Sequence, residues 1–441
     1  MIAKSKPPIA DLYRTNLKQI LSRKHPLYIL AGEIDWSVFE KAFGPFYAPD
    51  GRPARPIRLL VGLHYLKYAF NESDESVLEH WVENPYWQYF CGYEYFQHEC
   101  PVDRSNIIRW RQRVGPERME ALLKETIETA KRKGFLKPSD LSRVNVDTTV
   151  QEKAVTYPTD AKLCHKAREV LVRQAKKRKI ELRQTYVRVS KRALVMQGRY
   201  RHAMQGKKAT REVRKIKSCL RRVVLDLMDK VHGNDLKMKE FLLRAGQLLT
   251  QQKDSKDKLY SFHAPEVECI SKGKVHKKYE FGCKVGLVST SRKNWIVGVQ
   301  AFPGRPYDGH TLKEALSQTE RLTGSPVKNA YVDRGYRGHD YAGPAEIHVA
   351  GRHRSRMTRA ERRWMKRRSA IEPIIGHTKH DDRMDRNYLV GRHGDKTNAI
   401  LAAAGYNFRK LMAGVRRLFL RLFYGWFFWL IPAPKDAEAA A

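Results

Sequence analysis

The sequence predicts an α/β fold: a mixed sheet with helices, preceded by a helical domain and interrupted after its first strand by a helical insertion. Three observations predict it. Apolar and polar residues alternate over residues 144–150, as in a strand, and strand-like runs resume at residue 279. Between these runs, residues 161–250 contain no proline and are dominated by leucines, valines and long basic side chains at helical spacing. Beyond them the order is strand, strand, helix, strand, short strand and helix, which describes an α/β domain with a mixed sheet.

Residues 1–135 form the helical domain, with apolar runs such as Ile57-Arg58-Leu59-Leu60-Val61-Gly62-Leu63 and breaks at Asn71-Glu72-Ser73 and Cys100-Pro101. In its last part Ser105 can cap a helix. Ile107, Trp110 and Val114 then share one face, while Arg109 and Arg113, four apart, share another. A basic face opposite a buried one is how a recognition helix meets DNA. A solvated basic helix is the competing reading.

The sheet domain takes residues 136–160 and 258–390. Its five strands are read at 144–150, 279–287, 295–299, 330–333 and 346–349, with one helix from His310 to about Arg321 and another from near Thr358. The insertion, residues 161–257, starts from a cap at Thr159 or Asp160. Within it, residues 161–250 hold 26 Lys plus Arg against 7 Asp plus Glu, a net +19. Self-repulsion at this density opposes compaction unless an anion neutralises it, so nucleic-acid contact is expected, with a solvated face as the alternative. Residues 391–441 form a C-terminal helical tail.

Composition agrees with this layout. The chain has 441 residues, 42% of them hydrophobic, enough for two or three domains with real cores and too many for wholesale disorder. Its 85 Lys plus Arg against 47 Asp plus Glu leave +38, which needs a polyanionic partner. The six cysteines form no C-x-x-C pair and are too sparse for a disulfide scaffold, so a reducing cytosol fits. The first 14 residues lack the apolar segment of a secretory signal. The longest uncharged run of the tail, residues 422–434, is too short to span a membrane and reads as a buried or partner-facing helix, with peripheral membrane contact the lesser reading.

Three carboxylates carry the chemistry. Asp147 ends the first strand on the side opposite Val144 and Val146, and Asp333 holds the corresponding place after Ala330 and Val332. If those strands are neighbours the two side chains converge at a strand end, where α/β folds place their sites. An Asp before Arg-Gly is also an ordinary turn residue. Measured from Glu372, Arg368 lies at −4, Lys379 at +7 and Arg383 at +11, all near multiples of the 3.6-residue turn. One helical face then carries a carboxylate among cations, unless this is simply an exposed salt-bridged helix. Because Pro373 removes a helical N–H and biases Glu372 away from helical geometry, that face is continuous only if the helix tolerates a kink there. Carboxylates on separate elements, with no Cys and His cluster at zinc spacing, suit Mg2+ or Mn2+. Two such ions about 3.5–4 Å apart serve phosphodiester chemistry.

Several motifs in order, Arg55-Pro56-Ile57-Arg58-Leu59-Leu60, Asn84-Pro85-Tyr86-Trp87, Val146-Asp147-Thr148-Thr149, Tyr307-Asp308-Gly309-His310-Thr311, Val332-Asp333-Arg334-Gly335-Tyr336 and Glu372-Pro373 through Lys379, give the chain its family likeness. It resembles DDE transposases of the IS5 type, in the IS4/IS5 group of bacterial insertion sequences. The resemblance implies an RNase H-like catalytic core with Asp147, Asp333 and Glu372 as catalytic, metal-binding residues for two Mg2+ (or Mn2+) ions. It also implies accessory places for Asp308 and His310. Arg368, Glu372 and Lys379 match the group's tyrosine, arginine, glutamate and lysine signature, with Met365 at the tyrosine position.

The expected function is a transposase that binds insertion-sequence ends, cleaves DNA by two-metal-ion hydrolysis and joins the 3′ hydroxyl ends to target DNA. Arg109, Arg113, Arg368, Lys379 and Arg383 are the expected DNA contacts. The expected partners are double-stranded DNA, as terminal inverted repeats and target, and a second copy of the chain on paired ends, with no membrane. The expected location is the bacterial cytoplasm, on the nucleoid. The alternatives are a structure-specific metal-dependent nuclease and a noncatalytic DNA-binding protein derived from a transposase.

Overall fold

The computed structural model describes residues 16–47, 54–231, 235–252, 254–271, 278–351 and 357–430, with side chains described to Leu418. The N-terminal stretch examined for a signal and residues 431–434 of the apolar run lie outside the described residues. The chain forms two compact units, one of Met1–Gln151 with Lys284–Ala441, the other of Glu152–Cys283.

The first unit begins with the helices α1 (Leu17–Ile20), α2 (Pro26–Glu33), α3 (Trp36–Phe43), α4 (Ile57–Ala69), α5 (Ser76–Glu83), α6 (Pro85–Phe90), α7 (Arg104–Val114), α8 (Pro116–Arg132) and α9 (Pro138–Leu141). Local chemistry sets their starts. Asn84 accepts from the Tyr86 and Trp87 amides ahead of Pro85, and Asp35 accepts from Ser37 N, so N–H groups that a first turn leaves unpaired are met. Because α4 is mostly apolar around its circumference, with Lys67 paired to Asp74, it becomes the central helix, with Leu59 through Ala69 buried.

Strand β1 (Arg143–Glu152) follows. It leads into the second unit, whose helices are α10 (Asp160–Lys177), α11 (Val187–His202), α12 (Gly206–Lys230) and α13 (Leu236–Thr250). Thr159 caps α10, its side chain accepting from Lys162 N at 3.4 Å, as the sequence led us to expect. These helices bury a core of their own, including Leu171, Ile216, Leu220, Val223, Leu227 and Phe262. Each such side chain stabilises the unit by about 1.5–3 kcal/mol. Strand β2 (Glu268–Ser271) pairs antiparallel with the first residues of β3 (Tyr279–Thr290).

Back in the first unit come β4 (Ile296–Phe302), α14 (Leu312–Thr323), β5 (Asn329–Val332), β6 (Glu346–Val349), α15 (Arg359–Arg368), α16 (Ile371–His380) and α17 (Gly391–Leu430). β1 lies between β3 and β5, with β6 beyond β5 and β4 on β3. The β1–β5 and β5–β6 pairs are parallel, while β3–β4 is antiparallel. The sheet is mixed, as expected, but six-stranded rather than five-stranded. The extra strand, β2, is four residues long with only Ile270 buried, too short to show alternation.

Helix α17 is part of the first unit's interior. Asn407 donates to Ile296 O and Thr126 Oγ1 and accepts from Ile296 N, joining β4 to α8. Tyr68 donates to Asn398 at 2.8 Å, and Gly405 allows α4 to approach, since a Cβ there would lie 2.7 Å from Tyr68 Cβ. Among the described residues, no helix is long and apolar enough to cross a membrane. All six cysteines are free thiols.

Candidate active site

Three segments of the first unit meet around Asp147, which lies in the middle of β1 and not at its end as the sequence suggested, because the strand runs on to Glu152 past the residues that pair with β5. The interior of β1 is buried except at Asp147 and Thr148, both half-buried. β1 pairs with β5 through Val144 with Ala330 and Asn145 with Tyr331, so Asp147 and Asp333 each lie two residues beyond a register pair. Asp333 keeps extended backbone and then accepts from Gly335 N at 2.8 Å, turning the chain into the short helical turn Arg334–Tyr336. The third segment is the turn Asp308–Thr311, which leads into α14.

Asp308 is the hub. Its Oδ1 accepts from the Thr148 hydroxyl at 2.8 Å and from Lys284 Nζ at 2.8 Å, and Lys284 also donates to Pro306 O at 2.7 Å. Gly335 makes room for two carboxylates: a Cβ there would come within 3.0 Å of Asp333 Oδ1 and 3.2 Å of Asp308 Oδ2. Gly309 allows the two turns to close together, since its Cβ would lie 2.9 Å from His339 Cα. Beneath them the buried Tyr336 hydroxyl is held well above its ordinary pKa, first by burial and then by the charges of Asp147, Asp308 and Asp333. One phenol thus feels all three aspartates.

Glu372 is placed differently. The helix breaks at Ser369-Ala370, and α16 restarts so that Glu372 and Pro373 fall in its first turn. Pro373 costs no hydrogen bond there, and Glu372 is helical, its amide donating to Ser369 O, so the expected kink is a full break upstream of the proline. Glu372 is exposed and pairs with Arg368 at 3.4 Å. The helix pair is tied to the sheet by Arg367, which donates to Ser291 O (3.2 Å), Arg292 O (3.1 Å) and Asn294 Oδ1 (3.3 Å). Asn145 in turn donates to Arg367 O at 3.3 Å. Among the described residues, no three His, Cys, Asp or Glu side chains are grouped to hold a metal ion.

The expected DNA contacts are dispersed over the unit. Ile107, Trp110 and Val114 are buried as expected, and Arg109 and Arg113 lie on the other side of α7. The cap of α7 is Asp103, not Ser105. Asp103 accepts from Asn106 N at 2.9 Å and from the Ser105 hydroxyl at 2.6 Å, because its carboxylate is the stronger acceptor. Arg109 turns back onto the Ser105 carbonyl, while Arg113 lies over the Tyr47 ring. Lys379 lies on α16, but Arg383 leaves that face, since α16 ends at His380. Arg383 has a left-handed backbone (φ 64°) and donates to Asn71 O at 2.9 Å. There it lines a cleft of about 710 Å³ with Lys67, Asp74, Arg111 and Arg386. His310 is exposed, 4.0 Å from Asp340.

Lys284, Asn145 and Arg367 were given no site role by reasoning from sequence, and Tyr336 was seen only within a motif. Their signal was faint, because each acts by tertiary contact with a distant segment.

Comparison with known proteins covers two stretches of the chain and leaves β1, with Asp147, between them. Residues 15–113 match the transposase domain DUF772, and residues 246–408 match the transposase DDE domain. The chain is 55% identical over 195 residues, 44% of its length and 94% of the relative's, to a Rhizobium meliloti protein described as uncharacterized protein ORF8 in nfe locus. No solved structure matches the chain. With both transposase domains in one chain, and the DDE-domain match containing Asp308, Asp333 and Glu372, this protein belongs to the DDE transposases.

Proposed function

We propose that this protein is an IS5-type transposase that binds the terminal repeats of an insertion sequence, cleaves at the ends and joins the liberated 3′ hydroxyls to target DNA. The observation that supports this reading is the approach of Asp333 and Asp308 around Gly335, with Asp308 tied to Thr148, the neighbour of Asp147 on β1. A basic chain of +38 with an acidic focus suits phosphoryl transfer on a polyanion.

The oxygens are hard donors of the kind divalent ions take and the absent Cβ at Gly335 leaves space beside Asp333 and Asp308, while among the described residues no three such side chains are yet drawn together. In this reading Asp147, Asp333 and Glu372 would hold Mg2+ or Mn2+, which would polarise the phosphodiester and favour deprotonation of the attacking group. Lys284 and Thr148 fix the Asp308 carboxylate, and Arg368 orients Glu372 at the positive N-terminal end of α16. Arg368, Lys379, Arg109, Arg113 and Arg383 hold DNA by its phosphates or base edges. In cleavage, water oxygen bonds to phosphorus and the P–O3′ bond breaks, leaving a 5′ phosphate and a 3′ hydroxyl. In joining, that hydroxyl bonds to a target phosphorus and releases a target 3′ hydroxyl.

The test is incubation of purified protein with duplexes bearing the element's ends, target DNA and Mg2+. Nicks with 3′ hydroxyl ends and joined products are expected, and chelation should abolish both. Nicks without joining would indicate a nuclease, and neither product would leave a DNA-binding protein.

A further inference from the structure

We propose that the α11–α12 hairpin of the second unit is a docking surface for the phosphate backbone of duplex DNA. On α12 the exposed Lys207, Arg211, Arg214 and Arg221 lie within about 80° of one another at 100° per residue, with Ser218 completing the stripe. They span about 21 Å along the helix at 1.5 Å per residue. Duplex DNA presents about twelve phosphates over that length, at one per 1.7 Å. Lys208 and Arg222 flank the stripe, and none of these six cations takes part in an ion pair among the described residues.

No acid of α12 lies within the length of the stripe on this face. Glu212 and Asp226 are buried and paired with Lys215 and Lys230, and Asp229 lies beyond the stripe's end. α11, packed against α12, contains no acidic residue and exposes Arg188, Lys191, Arg192, Arg199 and Arg201. The hairpin is anchored in the unit's apolar core through Ala193, Ile216, Leu220 and Val223, so the exposed cations are not needed for folding. They repel one another in the free protein, and a polyanion relieves that repulsion. Duplex is favoured because the stripe is straight and the face offers few exposed aromatic rings for stacking unpaired bases.

This proposal rests on the transposase reading only for the identity of the DNA. The test uses the full-length chain and random-sequence duplex, with binding measured against salt concentration. The variant Lys207→Gln/Arg211→Gln/Arg214→Gln/Arg221→Gln should flatten the log–log slope by about 3.6 if all four contact phosphates, since each lost contact removes about 0.9. The pair Arg211→Gln/Arg214→Gln should flatten it by about half as much. A matched control, Lys162→Gln/Arg173→Gln/Lys176→Gln/Lys177→Gln on α10, removes equal charge outside the hairpin and should move the slope by less than about 1. An unchanged slope in the hairpin variants, or equal flattening in the control, overturns the proposal. Failure of the transposase reading would instead appear as absent end cleavage by the wild type.

Discussion

Asp147 and Asp333 each follow by two residues one member of a register pair, Asn145 and Tyr331, on adjacent parallel strands. Because side chains repeat every second residue, the offset gives both carboxylates the same side of the sheet as that pair. Asn145 is itself fixed: its side chain accepts from Ser291 at 2.7 Å and donates to Arg367 O. The strand that carries Asp147 and the helix pair that carries Glu372 are thus linked through one buried amide.

Gly335→Ala tests the crowding around the aspartates. Gly335 does not have a positive φ, so alanine is tolerated by the backbone, but its Cβ must displace Asp333 or Asp308. A shift of roughly 1 Å should lower cleavage by about 100-fold with little change in melting temperature. Wild-type rates in this variant would show that these two carboxylates need not keep their places.

Arg367→Met removes three hydrogen bonds that hold α15 to the sheet. Arg367 does not reach the aspartates, so its role is positioning. Single-turnover cleavage should fall by about tenfold or more while affinity for element ends changes less than about threefold. Equal losses in both would indicate general unfolding instead.

His64 makes the first unit acid-sensitive. Its Nδ1 lies 2.7 Å from Leu60 O and therefore donates, which leaves Nε2 buried with no partner in the structure. Burial, reinforced by Arg111, lowers its pKa from 6.5 to about 3. The folded state thus binds fewer protons than the unfolded chain, and stability present above pH 6.5 is lost as pH falls toward 3, by up to about 1.4 kcal/mol per unit. All eight tryptophans lie in the first unit, so their fluorescence reports its melting. His64→Gln should flatten the pH dependence of that melting in this window, and parallel wild-type and variant curves would contradict the assignment.

Replacing Arg109 and Arg113 together should reduce the preference for element ends over random duplex by roughly 10-fold or more, if the exposed face of α7 reads bases. Competition gel shifts with both DNAs measure this. Equal weakening on both would make α7 a backbone clamp.

Most of the sheet was legible because strands such as β1 and β5 alternate or run apolar within a few residues; Asp333 does follow β5 directly, but Asp147 lies inside β1, which continues to Glu152. The basic insertion was legible because four helices there carry little besides leucine, valine and cations. Other features depend on distant contacts. Asp308 was seen only as part of a motif, since its partners Thr148 and Lys284 are 160 and 24 residues away. The cap of α7 was misplaced by two residues because Asp103 and Ser105 are both good caps, and only geometry separates them. The face through Arg383 failed because spacing cannot reveal where a helix stops.

The most direct measurement compares end cleavage by the wild type with that by Asp147→Asn, Asp333→Asn and Glu372→Gln, in Mg2+, alongside end binding by gel shift. Each substitution removes one charge while keeping shape. Cleavage should fall by at least about 100-fold in every variant, corresponding to several kcal/mol of transition-state stabilisation, while end binding stays within about threefold of wild type. Near-wild-type cleavage by any one of them would contradict its place in the triad, and by all three would refute acidic-residue catalysis in this protein.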